Sequence, residues 1–134
     1  MVRVARIAYV ILAWLFVVGM VAQVFFIGVG IFGDPALMAQ YRELHRNVGW
    51  ILHLVPLLVL VAAFLARAGR SHWLWALALA VVGFIFPILA AFRTAPFVAA
   101  LHPVGAVIAF VLAVVVAMNA LRALRTPLPV TVAA

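Results

Sequence analysis

Cysteine and lysine are both missing from this chain, and acidic side chains nearly so: Asp34 and Glu43 are the only two. Without cysteine there is no disulfide, no thiolate metal site and no cysteine nucleophile. Charge of either sign is scarce. Charged residues make up 8% of the 134 and hydrophobic ones 72%, against about a quarter charged in an ordinary soluble domain. A soluble domain is excluded. All nine cations are arginines, and they come mostly as pairs at the ends of apolar runs. The net charge of +7 is therefore read as membrane topology and lipid-headgroup contact, with no nucleic-acid partner.

What the chain does have is four long apolar runs, at about 7–32, 47–67, 73–92 and 102–123, in one integral membrane domain spanning 1–134. The start, behind Arg3 and Arg6, resembles a signal peptide, but its apolar run is too long and lacks a convincing cleavage site, so a retained helix is expected. Connections this short force neighbouring segments antiparallel. The fold expected is all-α, a four-helix transmembrane bundle. Arg3, Arg6, Arg67, Arg70, Arg122 and Arg125 fall on one side, and Arg42, Arg46 and Arg93 on the other. That excess places both termini in the cytoplasm of a bacterial cell (inner) membrane. Tyr9, Trp73 and Trp75 then suit the inner interfacial belt, and Tyr41 and Trp50 the outer one.

The stretch from Gly33 to Arg70 carries most of the polar chemistry. Asp34-Pro35 is a helix-start signal, an N-cap acceptor followed by a proline whose missing N–H costs nothing there. No breaker follows until Pro56, so one helix is expected from Pro35 to about Arg67. It would be about 50 Å long against a hydrocarbon core of about 30 Å, so its first turns stand above the membrane. His45 falls at the boundary and His53 roughly 9 Å below it. Gly49 lies one turn after His45 on the same face. Val59 is taken to face lipid.

A weak internal repeat links the two halves. Leu44-His45-Arg46-Asn47-Val48-Gly49 opens the second segment and Leu101-His102-Pro103-Val104-Gly105 the fourth, each leading through an apolar run to arginine. Two tandem hairpins with pseudo-two-fold symmetry would set His45 and His102 at one depth, on opposite helices, facing a shared centre. Two neutral imidazoles so placed suit axial ligation of a haem iron. Gly49 and Gly105 would leave room beside the ring. Arg42, Arg46 and Arg93 would supply cations for the propionates. Against this stands a plainer reading, in which the histidines are interfacial and the small residues are helix contacts. Pro103 could also begin the fourth helix, making His102 its N-cap.

The other polar residues are given structural roles: Gln23 as the partner of a buried His53, His72 solvated, Asn119 joining helices, and Gly19, Gly28 and Gly30 allowing close packing. Pro87 is expected to kink the third segment, and the Thr/Pro tail to fray. A hydrolytic site is not indicated. Ser71–His72 and Glu43–His45 are close in sequence but do not face each other on a helix.

LHRNVG and LHPVG resemble the helix starts of membrane b-type cytochromes, His-Arg-x-x-small and His-x-x-small. They are most similar to one four-helix half of haem A synthase, and more loosely to bacterial cytochrome b561. The resemblance implies His45 and His102 as ligands of a haem b. It does not extend to synthase chemistry, for which Glu43 is the only outer acidic candidate. The chain also looks like short four-span bacterial membrane proteins without known function. Two readings follow. One is a small b-type cytochrome exchanging electrons with a quinone or a partner protein. The other is a cofactor-free subunit or assembly protein of a larger complex, and either allows a homo- or hetero-oligomer.

Overall fold

Asp34 opens the second crossing as its sequence leads one to expect. In a computed structural model, which describes residues 1–127, its carboxylate accepts from the backbone N–H of Ala36 at 2.9 Å and of Leu37 at 3.0 Å. Pro35 takes the first helical position beside it. The described residues form helices α1 (Val2–Phe32), α2 (Pro35–Leu52), α3 (Val55–Leu65), α4 (Arg70–Leu89), α5 (Pro96–Ala99) and α6 (Leu101–Arg125), with no strand among them. The expected fraying of the tail falls, beyond Pro127, outside the described residues.

The second crossing is two helices where one was expected. Pro56 has no N–H to give and its ring crowds the carbonyl one turn back, so the ladder is interrupted at His53–Leu54. Leu54 N–H instead bonds the Ile51 carbonyl at 3.2 Å, a tightened turn, and α3 completes the crossing. The turn into α4 uses left-handed backbone at Arg67 (φ 47°) and Gly69 (φ 97°), which reverses the chain in a few residues. Pro87 lies inside α4, which ends at Leu89, short of the expected Phe92. Pro103 does not start the last helix: α6 begins at Leu101, so His102 is helical and its direction is fixed.

Four crossings, Val2–Phe32, Pro35–Leu65, Arg70–Leu89 and Pro96–Arg125, are each long and apolar enough to span a membrane. The chain is a multi-pass membrane protein with an all-α four-helix bundle fold. α1 packs on α2, α3 and α6, and α4 on α3 and α6, so the second and fourth crossings lie on a diagonal. Residues turned outward, such as Val24, Phe25, Val61, Phe64 and Val107, are apolar and meet lipid.

Lipid supplies no hydrophobic drive between helices, so association rests on close packing. Small residues provide it: Ala109, Ala113, Ala117 and Ala120 bury one stripe of α6, and Ala62, Ala63 and Ala66 one side of the second crossing. The core lies toward the end that carries both termini, around Tyr9, Phe16, Val59, Leu79 and Val116. Two expectations fail here. Val59 is fully buried, at 0% exposure, because it stands about four whole turns beyond His45 and repeats that inward side. Tyr9 is also at 0%, a core residue and not part of an interfacial belt, while Trp75 and Trp50 are exposed.

Candidate functional site

At the other end of the bundle the histidines meet. His45 comes from the third turn of α2 and His102 from the first turn of α6, the two crossings on the diagonal. Their ring centroids are 6.4 Å apart and their planes stand at 84°. Both rings are half-buried. Two imidazoles bound trans to one metal ion would have centroids about 6.4 Å apart, from two N–metal bonds of about 2.0–2.1 Å and twice the distance of about 1.2 Å from ring centre to nitrogen. The centroid separation of the pair equals that value.

Gln23 on α1 supports this corner. It is 7% exposed and lies against the turn of α2 that runs from His45 to Gly49. Oriented to satisfy both ends of its carboxamide, it accepts from the Gly49 N–H at 2.9 Å and donates to the His45 carbonyl at 3.0 Å. The bare patch at Gly49 is thus where Gln23 rests. His45 Nδ1 lies 3.2 Å from the backbone carbonyl of Gln23 and 2.6 Å from its side-chain nitrogen. These contacts need different tautomers. A protonated Nδ1 donates to the carbonyl and leaves the Nε2 lone pair free, the usual state of a metal-binding histidine. A bare Nδ1 accepts from the amide and leaves the proton on Nε2. The tautomer of His45 decides which of its nitrogens is free. His102 Nδ1 is buried with no hydrogen-bond partner among the described residues.

The 6.4 Å separation equals that of two imidazoles on one metal ion, but the space beside the pair is occupied. A ring standing between α2 and α6 would spread toward α1 and α4, where Gln23 and Phe86 stand. Phe86 lies so close over Gly105 that a Cβ there would overlap its ring. Phe86 is half-buried. Nothing in the sequence pairs Phe86 with Gly105; the signal was a glycine that something had to cover.

The three arginines expected at this end are there and exposed. Arg42 lays its stem against Gly30, where a Cβ would come within 3.1 Å. Arg46 pairs loosely with Glu43 at 3.8 Å, and Arg93 follows α4. Gly19 gives close packing, being filled by Leu52, whereas Gly28 has open space beside it.

His53 is not the partner of Gln23, whose amide is already committed at His45 and Gly49. Its Nδ1 is buried without a partner, and its ring lies 5.4 Å from that of Trp50. His102 is within electrostatic reach of both His45 and His53, yet no three of the His, Asp and Glu side chains among the described residues are grouped to hold a metal ion. His72 is half-buried at the opposite end, its Nδ1 unpartnered, where a solvated ring was expected. Asn119 accepts from Arg122 one turn along α6 at 3.2 Å instead of bridging helices.

A family model, described as a family of unknown function, matches residues 23–95. The chain belongs to the DUF6220 family. No curated protein and no solved structure matches it. The DUF6220 match begins at Gln23 and takes in His45, Gly49, His53 and Phe86. His102 and Gly105 lie beyond it, so the family's matched region holds one member of the histidine pair.

Proposed function

We propose that this DUF6220 protein is a small membrane b-type cytochrome, with one haem b held between His45 and His102 near the outer surface. The observation that carries the reading is the 6.4 Å separation of the two imidazoles, across a diagonal that only the folded bundle closes. His45 would hold the iron through Nε2, the nitrogen left free when Nδ1 carries the proton. His102 would be the second residue to hold it. Gly49, under Gln23, and Gly105, under Phe86, would adjoin the ring once those side chains are displaced, and Arg42, Arg46 and Arg93 would supply cations toward its carboxylates. The bound haem would supply a one-electron redox couple. The two histidines would fix its position.

One haem at one end of a hydrocarbon core about 30 Å thick cannot pass electrons across it unaided. The reading therefore includes a quinone or a redox partner protein on the outer side, with a homo- or hetero-oligomer as one way to supply it. It also includes the cell membrane as location and both termini in the cytoplasm, from the arginine count. A cofactor-free subunit of a larger complex is the second reading, and the seating of Phe86 on Gly105 favours it, since that contact fills one flank of the ring space. The visible spectrum of protein purified from a haem-replete host separates the two. Folded but colourless protein overturns the cytochrome.

A further inference from the structure

The end of the bundle away from the histidines carries a second polar cluster, and it is wholly cationic. Arg3, Arg6 and Arg125 line one open cavity of about 440 Å³, with Ile7, Leu124 and Thr126. Arg6 is the unusual member. It is 4% exposed, the only buried charge among the described residues. Its Nε donates to the Ala66 carbonyl at 3.4 Å, and one terminal nitrogen donates to the Thr126 carbonyl.

Those carbonyls close α3 and α6, whose C-terminal dipoles hold the guanidinium in place but carry no net charge. Two of its five N–H groups are used there. No carboxylate is available nearby among the described residues: Asp34 caps α2 and Glu43 pairs with Arg46, both at the histidine end. His72, on α4, adds only an imidazole within electrostatic reach of Arg6. Like charges gathered around a partly desolvated cavity repel, and burying an unpaired charge is costly. An anion in the cavity removes both penalties.

We propose that this cavity is a binding site for a phosphate group, gripped by the guanidinium forks of Arg3, Arg6 and Arg125. Three planar forks around one space match the several oxygens of a tetrahedral phosphate. Ile7 and Leu124 line the same cavity with hydrocarbon, which suits the phosphate of an anionic lipid headgroup. Free phosphate offers the same chemistry to the forks.

The experiment uses the full chain in nanodiscs of phosphatidylcholine with or without phosphatidylglycerol, and in detergent with or without inorganic phosphate. Retained lipid is counted by native mass spectrometry and stability by thermal shift. Wild type should retain phosphatidylglycerol in preference to phosphatidylcholine, and Arg3→Gln and Arg125→Gln should each weaken that retention roughly tenfold, the loss of one charge-assisted contact. Arg67→Gln, which removes an exposed charge from the same end outside the cavity, should change little. Arg6→Gln should lose the preference; Arg6→Lys, which keeps the charge, covers the case where Arg6→Gln does not fold. A shift with inorganic phosphate alone keeps the site and assigns it to free phosphate. Equal losses in Arg67→Gln and Arg3→Gln, or no response to either probe, overturn the proposal.

Discussion

His45 and His102 reach each other across the diagonal of the bundle, with ring centroids 6.4 Å apart and planes at 84°. Neither helix packs broadly on the other, so their meeting depends on α1 and α4 holding them in register. If both ligate iron, the reduced protein should show the sharp split bands of six-coordinate low-spin haem b. Removing one strong-field ligand leaves five-coordinate iron, so His45→Ala and His102→Ala should each lose that signature and release haem faster. Unchanged bands in either variant would rule out that histidine as a ligand.

Phe86 should act against haem loading, because its ring covers Gly105 on one flank of the ring space. Phe86→Ala is expected to raise haem content several-fold in purified protein. Gly105→Leu should lower it and destabilise the fold, since even a Cβ overlaps Phe86. Val61→Leu is the proper control, Val61 being exposed. Haem content that falls in Phe86→Ala would make the ring part of the pocket and not its plug.

Gln23 and His53 have separable roles. Gln23→Leu loses the carboxamide but keeps the backbone carbonyl that accepts from His45 Nδ1–H. Thermal denaturation should show a loss of about 2 kcal/mol, the worth of two typical hydrogen bonds, with the low-spin bands intact. His53→Phe strands no amide, because Gln23 is engaged elsewhere, and it removes a buried nitrogen that has no partner. Its stability should stay within about 0.5 kcal/mol of wild type. A spin-state change in His53→Phe would bring that ring into the coordination sphere.

Topology is tested by reporter fusions. Six of the nine arginines lie at the end that carries both termini, so a C-terminal fusion should report the cytoplasm and one within Asp34–Gln40 the outside. The inverse pair of readings would reverse the orientation and leave the four crossings standing.

Four crossings, their antiparallel order and the start of α2 were legible in the sequence. Apolar runs of this length leave a membrane helix as the only way to satisfy every backbone group, and Asp34-Pro35 is a local signal that needs no tertiary partner. LHRNVG and LHPVG suggested one depth for the two histidines, although His45 stands in the third turn of α2 and His102 in the first turn of α6. What needed the folded bundle was each contact sideways from a helix. Pro56 marked a breaker, but only the structure showed the crossing interrupted and continued. Gln23 serves His45 and not His53; Phe86 covers Gly105; Val59 and Tyr9 turn inward; Arg6 is buried beneath the ends of α3 and α6. In a chain whose helices are apolar nearly all round, hydrophobic pattern does not mark which side faces lipid and which faces a neighbour. That choice is made by packing, through the small residues that let two particular backbones come close.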